Sequence, residues 1–298
     1  ALISLSNLTD DRIRRAKHGS WWETNAHRGL ANNSACYTEK PDFEAFLNEW
    51  VSLYESRSGE RGMFSRVASQ KQAAKNGRRD PNWDFGTNPC SEIILRPNQF
   101  CNLSEVVVRP TDTYETLLDK VEIATIIGTL QATLTDFRYL RAVWRRNTEE
   151  EALLGVSLTG ILDHPVLSGK KAKMDGMTLP EILEGLREHA VDINAEWSQK
   201  LGINQSAAIT CVKPSGTVSQ LVDSASGIHG RFAEHYIRRV RADMRDPLCG
   251  VLEAAGVPSE VDVMSPTTKV FSFPKKAPGN AVFASDQTGI EQLEIWDT

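Results

Sequence analysis

Apolar residues in this chain recur with two different periods, and the two periods alternate along its length. After Pro41-Asp42, the residues Phe43, Phe46, Leu47, Trp50, Val51 and Tyr54 fall at helical spacing. They predict an amphipathic helix whose stripe packs into a core. Leu117, Leu118, Val121, Ala124, Ile127 and Leu130 do the same within a helical stretch over residues 113–140. A capping box, Thr178-Leu-Pro-Glu181, opens a further helix with Ile182, Leu186, Ile193 and Trp197 on its buried side. Between the helices stand short, apolar, β-prone runs: Leu103 to Val108, residues 152–161 and residues 207–212. Leu2 to Leu5, Tyr236 to Val240 and Val270 to Phe273 are further strand candidates. Helices alternating with short strands predict an α/β fold with a largely parallel sheet. No internal repeat, low-complexity tract or linker divides the chain, so residues 1–298 read as a single domain.

Composition excludes several classes of function. With 40% hydrophobic and 24% charged residues, the chain reads as a soluble globular protein. No run approaches the roughly 18 apolar residues needed to span a membrane. A formal net charge of −5 argues against a dedicated nucleic-acid binder. The basic clusters at residues 12–17, Arg78-Arg79, Arg145-Arg146 and Arg238 to Arg241 read as solvated faces. Five cysteines at irregular spacing, with no Cys-x-x-Cys or Cys/His zinc pattern, indicate free thiols in a reducing, cytoplasmic compartment. The opening Ala1-Leu-Ile-Ser-Leu-Ser has no basic leader, and the absent initiator Met suggests a piece excised from a longer chain.

Three stretches carry possible chemistry. Thr87-Asn88-Pro89-Cys90-Ser91-Glu92 places an amide, a thiol and a carboxylate at alternate positions. If residues 88–92 are extended, Asn88, Cys90 and Glu92 point to one face. A hydrogen-bonding group, a sulfur and a potential general base would then share a target. A second thiol, Cys101, follows beyond a turn at Arg96-Pro97-Asn98. Lys213-Pro214-Ser215-Gly216-Thr217-Val218-Ser219-Gln220 reads as a strand end, a glycine-containing loop and a helix start, an arrangement that suits phosphate but that on its own reads first as a Pro-Ser-Gly turn capping a helix. It is not a P-loop, because the Gly-x-x-x-x-Gly-Lys-Ser/Thr spacing is absent. Residues 18–34, rich in Gly, Asn and Ser with two adjacent tryptophans, read as an irregular loop suited equally to ligand contact or to a plain surface connection. His229, alone in Ser226-Gly-Ile-His-Gly230, reads as structural.

Taken together, Asn88-Pro-Cys-Ser-Glu-Ile93, Cys101-Asn-Leu103, Lys213 to Leu221, and Ser226 to His229 with Tyr236 to Arg241 resemble the ribonucleotide reductases. The short separation of Cys90 and Cys101 resembles the adenosylcobalamin-dependent class II branch in particular. The resemblance implies part of a ten-stranded α/β barrel of the ribonucleotide reductase and glycyl-radical type, with a finger loop carrying Cys90. It implies that Cys90 becomes a thiyl radical that takes the ribose 3′-hydrogen, that Glu92 deprotonates the 3′-hydroxyl, and that Asn88 orients the ribose hydroxyls. Cys101 would be half of a reducing dithiol. Pro214, Ser215, Gly216, Thr217 and Ser219 would grip substrate phosphates. Arg28, Asn32 and Asn33 would lie in the segment through which an effector nucleotide sets base specificity.

The implied partners are a ribonucleotide di- or triphosphate, deoxynucleotide and ATP effectors, and a thioredoxin-type reductant, with no membrane and no direct nucleic-acid contact. The family's upstream partner for Cys101, its C-terminal Cys pair, most of the N-terminal allosteric region and the last barrel strands find no counterpart here, so the chain alone should not turn over. Two other readings stay open on the residues themselves. One is a nucleotide-binding module with structural cysteines, and the other a cysteine hydrolase using Cys90, which lacks an evident His partner.

Overall fold

The computed structural model describes residues 2–298, and these group into two compact units. The first comprises the chain up to Val106 together with Leu117–Ser157 and Leu183–Pro214. The second comprises Val107–Thr116, Leu158–Ile182 and Ser215–Thr298.

The first unit contains a parallel sheet of three strands, Leu2–Ser6, Ala31–Tyr37 and Gly62–Ser65, in that order. Parallel neighbours need crossovers, and helical segments supply them. Trp21–Thr24 and the 3₁₀ turn Ala26–Leu30 precede the central strand, and the helix Phe43–Ser56 follows it. Residues 18–34 are therefore not an irregular loop. Asn32, Asn33 and Ser34 are polar, yet they lie in a strand paired on one side to Leu2–Ser6, with Ser34 paired to Gly62 on the other. Tertiary pairing overrides their preference for turns.

The helix Phe43–Ser56 forms as the periodicity predicts, capped by the Asp42 carboxylate, which accepts from the Ala45 N–H at 2.7 Å. Its apolar stripe does not enter a core. Phe43 is 79% and Trp50 53% exposed, and Glu49 is the buried residue of the helix. The helix is held by its polar side: Glu49 accepts from Arg61 at 2.5 and 2.9 Å and from Arg14 at 2.7 Å.

Further along the first unit, three backbone segments run side by side. Asn102 N–H donates to the Leu153 carbonyl at 2.9 Å. Leu154 N–H donates to Ala208 O, Val156 N–H to Ile209 O, and Cys211 N–H to Val156 O, at 2.8–3.0 Å. Residues 207–212 thus run parallel to the strand Leu154–Thr159, joined through the Val156–Thr210 bridge. Alternation divides this surface into two faces. On one, the helix Tyr114–Gln131 packs closely because Gly128 leaves room for Leu154 and Ser104. The other face carries the chemistry described below. Fully buried Asn194, on the helix Leu179–Leu201, donates to Thr129 and Ser206, both at 3.0 Å, and accepts the Ser206 N–H at 2.9 Å. It thereby fixes the approach to residues 207–212.

The second unit holds an antiparallel sheet of His235–Asp243, Ser265–Lys276 and Ser259–Asp262, with Ser265–Lys276 in the middle. The expectation of a largely parallel sheet fails here. The short turn between Asp262 and Ser265, closed by the Asp262 carboxylate on the Met264 N–H at 2.8 Å, leaves no room for a crossover. Val270 and Phe271 are buried on the central strand. Asp163 and Arg231 form a buried ion pair through two contacts of 2.8 Å, and Asp163 also accepts the Ala225 N–H. At Gly160, φ is +84° and a Cβ would stand 2.5 Å from the Val108 carbonyl oxygen, so the turn excludes side chains. Among the described residues, no helix is long and apolar enough to cross a membrane.

Candidate active site

Residues 88–92 are not extended. They form the turn of a hairpin whose arms are Gly86–Thr87 and Ile94–Leu95. Ser91 N–H donates to the Asn88 carbonyl at 3.0 Å, and Asn88 N–H to the Ile93 carbonyl at 3.3 Å. The Asn88 Oδ1 accepts the Ile93 N–H at 3.1 Å, while Ser91 takes a positive φ of 65°. The chain reverses because Asn88 satisfies both its own backbone and the far arm, and Pro89 has no N–H to extend a ladder. Asn88 keeps its Nδ2 amino group without a partner among the described residues. Cys90 is exposed at the tip. The tip is tethered from the parallel sheet by Asn32, whose Nδ2 donates to the Pro89 carbonyl at 2.7 Å. Asn33 instead donates its N–H to Glu60 at 3.0 Å, and Arg28 donates to the Ala16 carbonyl, so these bonds lead away from the hairpin.

The hairpin lies over the free face of the three-segment surface. A Cβ on Gly155 would meet Leu103 Cδ2 at 2.4 Å, Ile93 Cδ1 at 3.0 Å and Cys211 Sγ at 3.1 Å. The absence of a side chain at residue 155 thus admits Ile93, and with it the hairpin arm. Alternation puts Leu103 with Glu105, Gly155 with Ser157, and Cys211 with Lys213 on this same face. Lys213 and Glu105 confirm the placement with an ion pair of 3.0 Å. Glu92 keeps Oε2 shut off from solvent without a hydrogen-bond partner, and the Ser157 hydroxyl is likewise buried and unpartnered. Each is a polar group left ready for a ligand.

The electrostatics join the thiols to Glu92. Burial pushes the Cys90 thiol up, Glu92 adds to the effect, and Lys213 opposes it. Burial and then Glu92 push Cys101 up to about 11. Cys211 is pushed up to about 12 by burial, with Glu92 and Cys101 adding. Burial opposes the charge of Lys213, yet Glu105, Glu92 and Cys90 together hold it above its ordinary value. All three thiols therefore stay protonated at neutral pH. Such a cluster suits hydrogen-atom and dithiol chemistry and does not suit nucleophilic attack, which needs a thiolate. Cys211 and Glu105 were not singled out in the sequence. The available signal was the match of two alternating pairs, 103 and 105 with 211 and 213, which gains meaning only when the strands are known to be near neighbours.

Within the second unit, the stretch Ser215–Ser219 is partly spent on itself. Ser215 and Ser219 are buried, Ser219 donates to the Ser215 carbonyl, and Ser226 donates to the same oxygen at 2.8 Å. Ser215 has a positive φ of 48°, and the helix that follows, Val218–Leu221, is a single turn. Gly216 and Thr217 remain exposed. His229 binds the Ser226 carbonyl at 3.1 Å and closes its own loop, as a structural residue would.

Comparison with known proteins returns the same class. No protein-family model matches the chain. It is 31% identical over 278 residues to an adenosylcobalamin-dependent ribonucleoside-triphosphate reductase of Lacticaseibacillus paracasei, covering 84% of this chain and 36% of that protein. The like-named protein of Lactobacillus leichmannii is 30% identical over 291 residues, covering 88% and 38%. A crystal structure of a B12-dependent, class II ribonucleotide reductase superposes with a TM-score of 0.77 at 25% identity, over 98% of this chain and 44% of that one. The alpha subunit of the Actinobacillus ureae class Id reductase shares the fold alone, with a TM-score of 0.53 at 13% identity.

Fold and relatives define a partial α/β barrel of the ribonucleotide reductase kind. Within that kind, the chain belongs with the adenosylcobalamin-dependent class II reductases, and it spans a little over a third of the length of the curated relatives it matches.

Proposed function

We propose that the polypeptide carrying this sequence reduces ribonucleotides to 2′-deoxyribonucleotides, with residues 1–298 forming the central part of one catalytic barrel domain. The observation that carries the reading is the protonated thiol cluster around one carboxylate: Cys90 on an exposed tip, Cys101 under the influence of the Glu92 charge, and Glu92 with an unpartnered oxygen. Adenosylcobalamin, when bound, supplies the radical chemistry that removes the thiol hydrogen of Cys90. The exposure of Cys90 at the end of a hairpin fits the approach of so large a group, and Cys90 is the residue that would face it.

The rest falls to the chain's own side chains. The Cys90 sulfur takes the ribose 3′-hydrogen, Glu92 accepts the 3′-hydroxyl proton, and the 2′-hydroxyl leaves as water on a proton given by the reducing dithiol to which Cys101 contributes. The free Nδ2 of Asn88 holds a ribose hydroxyl, and Cys101 supplies one of the two reducing thiols. In the Pro214–Ser219 loop, Gly216 and Thr217 offer backbone N–H groups to the phosphates, while buried Ser215 and Ser219 shape the turn. The names of the relatives favour a triphosphate as substrate. Asn32 links the segment assigned to effector-dependent specificity with the Cys90 turn, which gives deoxynucleotide or ATP effectors a route to the thiol. Re-reduction by a thioredoxin-type protein and a cytoplasmic location complete the reading.

A hydrolase is disfavoured because burial and Glu92 raise the Cys90 pKa where a nucleophile needs it lowered. A nucleotide-binding module with merely structural cysteines is disfavoured because Cys90 lies outside any core. The test is cobalamin-dependent formation of deoxynucleotide by the full-length polypeptide. Cys90→Ser should abolish it, and Glu92→Gln should slow it by about 10²–10⁴-fold. Turnover that survives Cys90→Ser would refute the assignment.

A further inference from the structure

The stretch Ser215–Ser219 has backbone N–H groups to offer a phosphate chain, but Lys213, the cation beside it in sequence, is committed to Glu105. A multiply charged phosphate chain needs a cation from elsewhere. Within the second unit, Arg109, Arg231 and Lys275 hold the far end of the loop. Arg109 donates to the carbonyls of Val222 and Asp223 at 2.8 and 3.1 Å. Arg231 is buried and spent on Asp163 and Asp223, and Lys275 pairs with Asp223 at 3.4 Å.

Arg238 is placed differently. On the strand His235–Asp243, alternation puts Arg239 and Arg241 on one face, where they pair with Glu260 and Asp262. Arg238 lies on the other face, and its Nη1 donates to the Gln220 Oε1. Gln220 in turn donates Nε2 to the Ser219 hydroxyl at 3.4 Å, and Ser219 donates to the Ser215 carbonyl. This chain of hydrogen bonds seats the guanidinium against the loop. Gln220 stands one helical turn beyond Thr217, whose carbonyl accepts its N–H at 3.1 Å. An amide holds a guanidinium in place without neutralising it. No carboxylate pairs with Arg238 among the described residues, and its Nε and Nη2 find no partner among them. The space over the loop is open, since a Cβ on Gly216 would meet nothing within 4 Å.

We propose that Arg238 is the cation of this phosphate site and takes the terminal phosphate of a ribonucleoside triphosphate whose chain rests on the Gly216 and Thr217 N–H groups. The proposal rests on the reductase reading and adds to it the residue that counts phosphates. A guanidinium fork matches two phosphate oxygens, and its charge favours the nucleotide with the more negative chain. Arg238 thereby sets the preference among mono-, di- and triphosphate.

The probes are cytidine mono-, di- and triphosphate, titrated by calorimetry into the full-length polypeptide at constant ionic strength without cobalamin. Cytidine avoids ATP and the deoxynucleotides, which the resemblance assigns to effector sites. Arg238→Gln should raise Kd for the triphosphate by about tenfold or more, and for the monophosphate by under about twofold. Arg238→Lys, which keeps the charge and loses the fork, should fall between the two. Arg239→Gln, on the opposite face and paired with Glu260, should change all three by under about twofold. A purely structural arginine would shift the three nucleotides alike. The proposal is overturned if Arg238→Gln does so, if it binds the triphosphate like the parent, or if the parent binds no cytidine nucleotide. Where Arg238→Gln fails to fold, Arg238→Lys and Gln220→Ala carry the same test. Cobalamin-dependent turnover of the parent, measured on the same preparation, judges the reductase reading separately.

Discussion

Lys213 is the one charge that pulls the Cys90 thiol down against burial and Glu92. It is also the residue whose role in the chain changes most between sequence and structure. Its place before Pro-Ser-Gly suggests a phosphate contact, yet its ammonium is committed to Glu105 at 3.0 Å on the thiol face. Replacing it with Met removes the lowering influence, so the Cys90 pKa rises further and less thiolate is present at any pH below it. Alkylation of exposed Cys90 by iodoacetamide at pH 8 should therefore slow, by up to about tenfold for each pKa unit gained. Glu92→Gln should act in the opposite sense and speed alkylation. Mass-spectrometric rates for the single Cys90 peptide decide the matter, and equal rates in all three proteins would separate Lys213 from the thiol.

At the scale of elements, the helix Phe43–Ser56 shows how a correct period can carry a wrong inference about packing. The stripe from Phe43 to Tyr54 is helical in spacing and exposed in fact, while the helix is clamped through buried Glu49 to Arg61 and Arg14. Trp50→Gln should thus cost under about 1 kcal/mol, where a buried Trp would cost about 3–5 when truncated. Glu49→Ala should cost about 3–5 kcal/mol, because it leaves Arg61 buried without its partner. Urea unfolding of the two variants checks the order, and a larger loss at Trp50 would contradict the fold described. The hairpin Gly86–Leu95 teaches the complementary lesson. Alternation suggested that Asn88, Cys90 and Glu92 share a pleated face, whereas Asn88 bonds back to Ile93 and turns the chain. Cys90 and Glu92 still interact, through a turn seated over Gly155 rather than through a strand.

For the molecule as a whole, a net charge of −5 and the pairing of its basic clusters point the same way. Arg14 meets Glu49 and Asp11, Arg79 meets Glu151, Arg145 meets Glu149, and Arg239 and Arg241 meet Glu260 and Asp262. Each basic cluster thus holds at least one arginine neutralised by a carboxylate, and the net charge is negative, which weakens counterion release from a polyanion. The chain should pass through a heparin column at about 0.15 M salt and bind duplex DNA no more tightly than the roughly 10⁻⁴–10⁻⁶ M of non-specific contact. Retention under those conditions would show a basic face that the ion pairs do not neutralise.

Local signals in the sequence determined a good deal by themselves. The caps at Asp42 and Thr178, the strand Asn102–Val107, the helix Leu179–Leu201 and the thiol–carboxylate motif all rest on neighbours within a few residues, and all are present. The family was legible for a similar reason, since the motifs at residues 88–93, 101–103 and 213–221 are short and contiguous. What the tertiary structure alone decided depends on residues far apart in the chain. Ala31–Tyr37 is a strand because Leu2–Ser6 and Gly62–Ser65 pair with it, and its own composition argues for a loop. Cys211 joins the site because residues 207–212 lie beside Leu154–Thr159, with glycine at 155. Arg79 is buried because Glu151, far along the chain, pairs with it, while its neighbour Arg78 keeps a buried Nε without a partner. Periodicity reports which side of an element is apolar, and burial, pairing and charge compensation are settled only by what the rest of the chain places against it.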